Sequence, residues 1–242
     1  MPYRKQIFVN NEIYHIVTRR IGNELLFKDT DDYYRGIFSI YEFNNIKPVE
    51  IWLRRKFRAK IKAKGDPLSQ IDNRDPLVEV LLFCLMPNHI HFLLRQLKDG
   101  GITKYMNKFG AGYPAYFKRK YNLRDVKDKG YFFQGRFMSV HIKTEEQLKT
   151  IFVYIHTNPI SLIEPNWKET GIQNPDKAID FLENYKWSSY LDYLGKKNFP
   201  SVTKRDFILE IIGGAQGARA HIENWIRYKG EIKEFSELAL EN

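Results

Sequence analysis

An α+β fold is what the sequence predicts: an antiparallel sheet of about four strands with helices packed on it. Three observations lead there. Strand-like and helix-like stretches follow one another in the order strand, helix, strand, strand, helix, strand, helix. Only Met86-Pro87-Asn88 separates the two middle strands, so they pair as an antiparallel hairpin. A chain of 242 residues, 43% hydrophobic and 15% aromatic, supplies a sizeable core and argues against global disorder.

The first strand is EIYHIVTRR (12–20), rich in β-branched and aromatic residues. Asp29 or Thr30 caps a helix over 31–43, where Tyr34, Ile37, Phe38 and Tyr41 recur at helical spacing. The next stretch, IWLRRKFRAKIKAKGDP, carries seven basic residues and no acid between Arg54 and Lys64. Leu53, Phe57 and Ile61 suit a basic amphipathic helix, while alternation over 58–64 suits a strand or an extended arm; both stay open. Asp66-Pro67 and DNRDP then break regular structure. LVEVLLFCL (77–85) and HIHFLLRQ (89–96) are the hairpin strands. Residues 102–122 predict a helix that Gly110, Gly112 and Pro114 leave irregular or broken. GYFFQGRFMSVHI (130–142) predicts a further strand with basic and aromatic side chains interleaved. Thr144 and Gln147 resemble a capping box, Glu145 and Glu146 suit a first turn, and the helix that follows ends at Pro159. This order describes a ferredoxin-like sandwich with an added helix. Residues 160–242 read as further helices and loops.

The formal net charge is +10 and the pI about 9.4, a balance that points to a polyanionic partner, nucleic acid first; a basic enzyme whose charge only aids solubility is the alternative. Cys84 is the only cysteine, which excludes an intrachain disulfide and thiolate zinc sites. The start lacks a long apolar segment of the secretory kind, and the longest wholly apolar run, VLLFCLM, is far too short to span a bilayer. A reducing, cytoplasmic location is expected.

The chemistry centres on MPNHIHFLL (86–94). Alternate strand residues share a face, so His89, His91, Leu93 and Arg95 point one way and Ile90, Phe92 and Leu94 the other. Two such imidazoles are close enough to share a metal ion, although for an isolated HxH a pair of structural histidines is the commoner arrangement. A second stretch, YIHTNP (154–159), sets Tyr154 and Asn158 one helical turn apart. An amide oxygen is an acceptable hard ligand and a phenol beside a metal-bound phosphate is a potential nucleophile; a core tyrosine fits the spacing equally well.

YHIVTRR, LMPNHIHFLL, QGRF, YIHTNP and WSSYLDYLG (187–195) occur here in the order seen in REP-associated tyrosine transposases, of the single-tyrosine HUH superfamily. The chain resembles that family over about residues 12–195, with 200–242 and the basic stretch 52–65 less clearly matched. The resemblance implies the HUH endonuclease version of the sheet in residues 1–160, with a basic insert at about 46–76, and a helical extension, 161–242, packed on it. It implies that His89 and His91 hold a divalent metal, Mg²⁺ or Mn²⁺, with Asn158 as third ligand, and that Tyr154 is the nucleophile. His15 can reach the same face, and His156 should look elsewhere; neither is given a role. His141 and His221 are expected at the surface. The implied substrate is single-stranded DNA with a hairpin element, cut to a 5′-phosphotyrosine and a free 3′-hydroxyl and then rejoined, at the nucleoid. Arg54, Arg55, Lys56, Arg58, Lys60, Lys118, Arg119, Lys120 and Arg136 are the candidates for DNA contact, with Arg124, Lys62 and Lys64 beside them. Monomer and homodimer both remain open. Two other readings are an inactive nucleic-acid-binding regulator on the same fold and an unrelated metal-dependent hydrolase. The hydrolase lacks a carboxylate set, since only Glu79 and Asp99 lie close to the motif.

Overall fold

The computed structural model describes residues 7–63, 74–123 and 131–228. Four strands form one antiparallel sheet: β1 (Ile13–Arg19), β2 (Val78–Leu85), β3 (His89–Gln96) and β4 (Met138–Ile142), in the order β2-β3-β1-β4. That order, with helices between β1 and β2 and between β3 and β4, is the ferredoxin-like arrangement the sequence predicts. Asn88 and Pro87 turn the hairpin, where Met86 N–H donates to the His89 carbonyl at 2.9 Å. On β1, His15 lies opposite Leu93 and Val17 opposite His91, so His15 shares a face with the two β3 histidines.

Each sheet face is buried by its own set of helices. One face, through Ile90, Phe92 and Leu94, packs on α1 (Thr30–Phe43) and α3 (Gly101–Lys120). The other, through Ile13, Leu93 and Ile142, packs on α4 (Glu145–Thr157), which a Thr144–Gln147 capping box starts. As the sequence predicts, α4 ends just before Pro159; the chain then makes a 3₁₀ turn (Asn158–Leu162), α5 (Trp167–Thr170), α6 (Pro175–Asn184), α7 (Tyr190–Tyr193), α8 (Asp206–Ile212) and α9 (Gly214–Tyr228). Leu182, Ile208, Ile222 and Ile226 from these helices extend the core on the α4 face. The WSSYLDYLG stretch covers the outer edge of β2: Leu85 N–H donates to the Trp187 carbonyl at 2.9 Å and Ser189 N–H to the Phe83 carbonyl at 3.0 Å. Those bonds satisfy groups that an edge strand otherwise exposes. No helix among the described residues is long and apolar enough to cross a membrane.

Four local expectations are resolved or corrected. The basic stretch is a helix, α2 (Ile51–Ala63), not a strand; Lys64 and Arg124 lie outside the described residues. The 102–122 helix is unbroken. Ile102, Tyr105, Phe109, Tyr113 and Phe117 keep one apolar stripe on the sheet, and this outweighs the bond lost at Pro114. In α1 the core stripe is Ile37, Ile40 and Phe43, leaving Tyr34 exposed. The 130–142 strand is only β4; residues 131–137 form a loop bridged to β1 at Arg20–Phe133. Phe132 explains the departure: it packs under α3 against Phe117 and beneath the Arg20 guanidinium, 3.8 Å from its centroid, and Gly135 then turns the chain at φ 70°.

Two glycines of α3 have opposite environments. A Cβ on Gly112 would collide with the Phe43 ring, whereas Gly110 faces open space. Gly112→Ala is expected to destabilise the fold by about 1–3 kcal/mol through overpacking. Gly110→Ala should stabilise it by about 0.5–1 kcal/mol. Urea unfolding of both variants checks the pair, and equal effects would show that α3 does not pack on α1 as described.

Candidate active site

Three histidines and a tyrosine meet between the sheet and α4. His89 and His91 project from β3, His15 from β1 and Tyr154 from α4. His15 and His91 are fully buried, Tyr154 is 2% exposed and His89 6%. The Tyr154 ring stands edge-on to His91 and His15, with centroids 5.6 and 5.8 Å apart. The His89 and His91 rings are 4.8 Å apart at a steep angle.

Hydrogen bonds orient both β3 imidazoles. His89 Nδ1 lies 2.6 Å from Asn88 Oδ1. An amide oxygen only accepts, so the proton sits on Nδ1 and the lone pair on Nε2. His91 Nδ1 lies 3.0 Å from His15 Nε2, with the two rings nearly parallel. One proton serves that pair; when His91 donates it, His91 Nε2 keeps its lone pair. Histidines that bind metals are commonly held through their other ring nitrogen in this way. Asn158, buried at the end of α4, donates from Nδ2 to the Tyr154 carbonyl at 2.9 Å, which leaves Oδ1 as its acceptor. Among the described residues it makes no hydrogen bond to either histidine. Nor is any set of three His, Cys, Asp or Glu side chains gathered there to hold a metal. Two imidazole nitrogens on one strand face are the donors this cluster presents to a cation, and the Asn158 amide oxygen is a hard donor of the kind that would complete them.

His156 points away from this cluster, as its place on α4 predicts. It is buried against Phe152 and Tyr193, its Nε2 is 2.8 Å from Ser189 Oγ, and burial pulls it down to about 3, so it is neutral. His141 pairs with Glu12 at 2.7 Å. The sequence puts His15 within reach of this face but gives it no role, and its contact with His91 is what the structure adds. Only the β1–β3 register, which the sequence does not encode locally, brings it diagonal to His91.

The candidate DNA contacts lie elsewhere. Arg55, Lys56 and Lys60 are exposed on α2, and Arg54 approaches Glu42 at 4.0 Å. The side chains of Arg58 and Lys62 fall outside the described residues. Lys118 is half-buried and Arg119 exposed at the end of α3, while Lys120 is committed to Asp29 and Asp32 at 2.7 and 2.8 Å. Arg136 sits in the 131–137 loop, not a strand, and lines a groove of about 1060 Å³ with Phe8, Met106, Tyr131, Phe133 and Phe137. Both the groove and the α1–α3 helices belong to the sheet face opposite the histidines.

His15→Phe should leave His91 without its Nδ1 partner while keeping an aromatic ring in place. The expected cost is about 1–3 kcal/mol of stability. ¹⁵N spectra of the imidazoles should change from a single His91 tautomer to a mixture. An unchanged His91 spectrum would remove His15 from the site.

Residues 54–158 match the family model described as Transposase IS200 like, a segment holding His89, His91, Tyr154 and Asn158. It covers less than half of the chain, and over it the chain is similar to those transposases, as the motifs imply. Among solved structures, a REP-associated tyrosine transposase bound to a REP hairpin matches at 13% identity and a TM-score of 0.42, covering 85% of this chain and 93% of that one. No curated protein gives a significant match.

Proposed function

We propose that this chain, similar to the IS200-like transposases, is a single-strand DNA nicking and rejoining enzyme with Tyr154 as its nucleophile. The observation that carries the reading is the convergence of Tyr154 with the HxH pair. Two elements remote in sequence, β3 and α4, bring a phenol to within 5.6 Å of the His91 ring. A structural HxH gives no reason for a tyrosine there.

His89, His91 and Asn158 are the residues that would hold a divalent metal, Mg²⁺ or Mn²⁺. When bound there, the ion would supply Lewis-acid polarisation of a non-bridging oxygen of the scissile phosphate. His15 and Asn88 keep the imidazoles in position. Tyr154 Oη attacks phosphorus and gives up its proton; the bond from phosphorus to the 3′ oxygen breaks, and that oxygen leaves as a hydroxyl. The 5′-phosphotyrosine conserves the phosphodiester bond energy. Attack by a 3′-hydroxyl then reverses the step, rejoins the strand and frees the tyrosine without a nucleotide cofactor. With Tyr154 2% exposed, the ring must leave its packing on the histidines before it can reach a phosphate in line.

The substrate is single-stranded DNA bearing a hairpin, met at the nucleoid. Exposed cations of α2 and the aromatic groove around Arg136 hold the strand through phosphates and stacking. Because these lie on the sheet face away from Tyr154, they hold DNA without taking part in the chemistry. Within 161–242, the described helices up to Tyr228 act as the extension that backs α4.

A nicking assay on a hairpin-bearing single-stranded oligonucleotide tests the reading. Tyr154→Phe is expected to keep oligonucleotide affinity within about twofold and to lose cleavage altogether, since the lost hydroxyl is the nucleophile. His89→Ala and excess EDTA should each abolish cleavage with little loss of binding. Products with 5′-hydroxyl ends, or full cleavage by Tyr154→Phe, would refute it.

A further inference from the structure

Most half-buried cations of this protein are matched. Arg95 pairs with Glu79 at 2.7 Å, Lys120 with Asp29 and Asp32, and Lys108 reaches backbone carbonyls after α1. Three arginines at the junction of α1, α2 and α3 are different. Arg35 and Arg119 line a cavity of about 160 Å³, walled by Phe43, Val49, Ile51, Trp52 and Gly112. Arg55 projects from the next turn of α2. Among the described residues none of the three has a carboxylate partner. Arg35 Nε is buried with no hydrogen-bond acceptor, and the guanidinium lies 4.8 Å from the Tyr116 ring. Burial, with the like charges of Arg55 and Arg119 added, pulls Arg35 down to about 10.

Gathering like charges around a cavity costs free energy that an anion recovers. A guanidinium presents its donors in a plane that suits phosphate oxygens. The cavity holds several water volumes, taking about 30 Å³ for each, which leaves room for a phosphate group and its hydration. Trp52 at its rim is 55% exposed, with its indole N–H held by Glu50 at 3.1 Å. Phe57 on the same helix is 56% exposed, among Arg55, Lys56 and Lys60. Interleaved cations and exposed aromatic rings are what a single strand uses for its phosphates and unpaired bases.

We propose that Arg35, Arg55 and Arg119, with Trp52, form a second nucleic-acid contact on the sheet face opposite the histidines. One backbone phosphate sits in the cavity and an unpaired base stacks on Trp52. The identity of the strand rests on the DNA-nicking reading above; the anion cavity stands on the side chains alone. The site grips DNA remote from Tyr154, so its loss weakens binding and spares the chemistry.

Quenching of tryptophan fluorescence tests this in the full chain, with a mixed-sequence single-stranded oligonucleotide and with tripolyphosphate as probes. Trp52→Phe assigns the signal. With the oligonucleotide, Arg119→Gln and Arg35→Gln are each expected to weaken binding several-fold at low salt. Each should also reduce the slope of log affinity against log salt by about 0.7. Arg119→Lys should keep the slope, and Lys197→Gln, at an exposed lysine just after α7, should match the wild type. Wild-type affinity and slope in both glutamine variants would overturn the site while leaving the nicking reading intact. Arg119-dependent quenching by tripolyphosphate without oligonucleotide binding would overturn the nucleic-acid assignment, and no quenching by either probe would overturn the cavity as an anion site.

Discussion

A sheet covered by helices on both faces leaves little solvent for a polar residue at its centre, and the arrangement around β3 answers to that constraint. Histidines on a buried face must satisfy each other or their neighbours, because an unmade hydrogen bond there costs about 1–3 kcal/mol. The bond between His15 Nε2 and His91 Nδ1, and that between His89 Nδ1 and Asn88, meet the need. Both engage Nδ1 of the β3 rings. What satisfies the fold therefore also leaves the Nε2 atoms of both rings out of those bonds, which is what the proposed metal role requires. The same burial brings Tyr154 against the rings, since α4 can cover this face only by packing its apolar side, Ile151, Phe152 and Ile155, onto it.

On the proposed reading, the two faces divide the labour of the protein. The α4 face carries the phenol and the imidazoles, and the helices after α4 thicken its core. The α1–α3 face carries the aromatic groove and the unmatched arginines. A strand held on that second face has to pass around the sheet to reach Tyr154. Binding and chemistry are then separable by mutation, which is unusual where one pocket does both.

What could be read from the sequence was local. The hairpin over 77–96 follows from its three-residue turn, α4 from its capping box, and the HxH and tyrosine motifs from spacing along single elements. What could not be read depended on tertiary partners. The helical state of α2 competes with a two-residue alternation, and Ile51 is the one buried side chain among those described on it. The unbroken α3 wins over its glycines and Pro114 by burying a long stripe. Residues 131–137 leave the sheet because Phe132 finds Arg20 and Phe117. His15 lies in YHIVTRR without a role that the motif reveals, and Arg35 lies in no motif; a register shared with β3 and a cavity shared with α3 reveal them.

The central claim is that Tyr154 and the HxH pair are one catalytic centre. Mass spectrometry of protease digests, after incubation with a hairpin-bearing single-stranded oligonucleotide and Mg²⁺ or Mn²⁺, tests it most directly. The account predicts a nucleotide 5′-phosphate attached to Tyr154, on the peptide containing IFVYIHTNP, and its absence when His91 is replaced by alanine. A nucleotide mapped to another tyrosine, such as Tyr131 in the groove, or an adduct on Tyr154 that persists in His91→Ala, would contradict it.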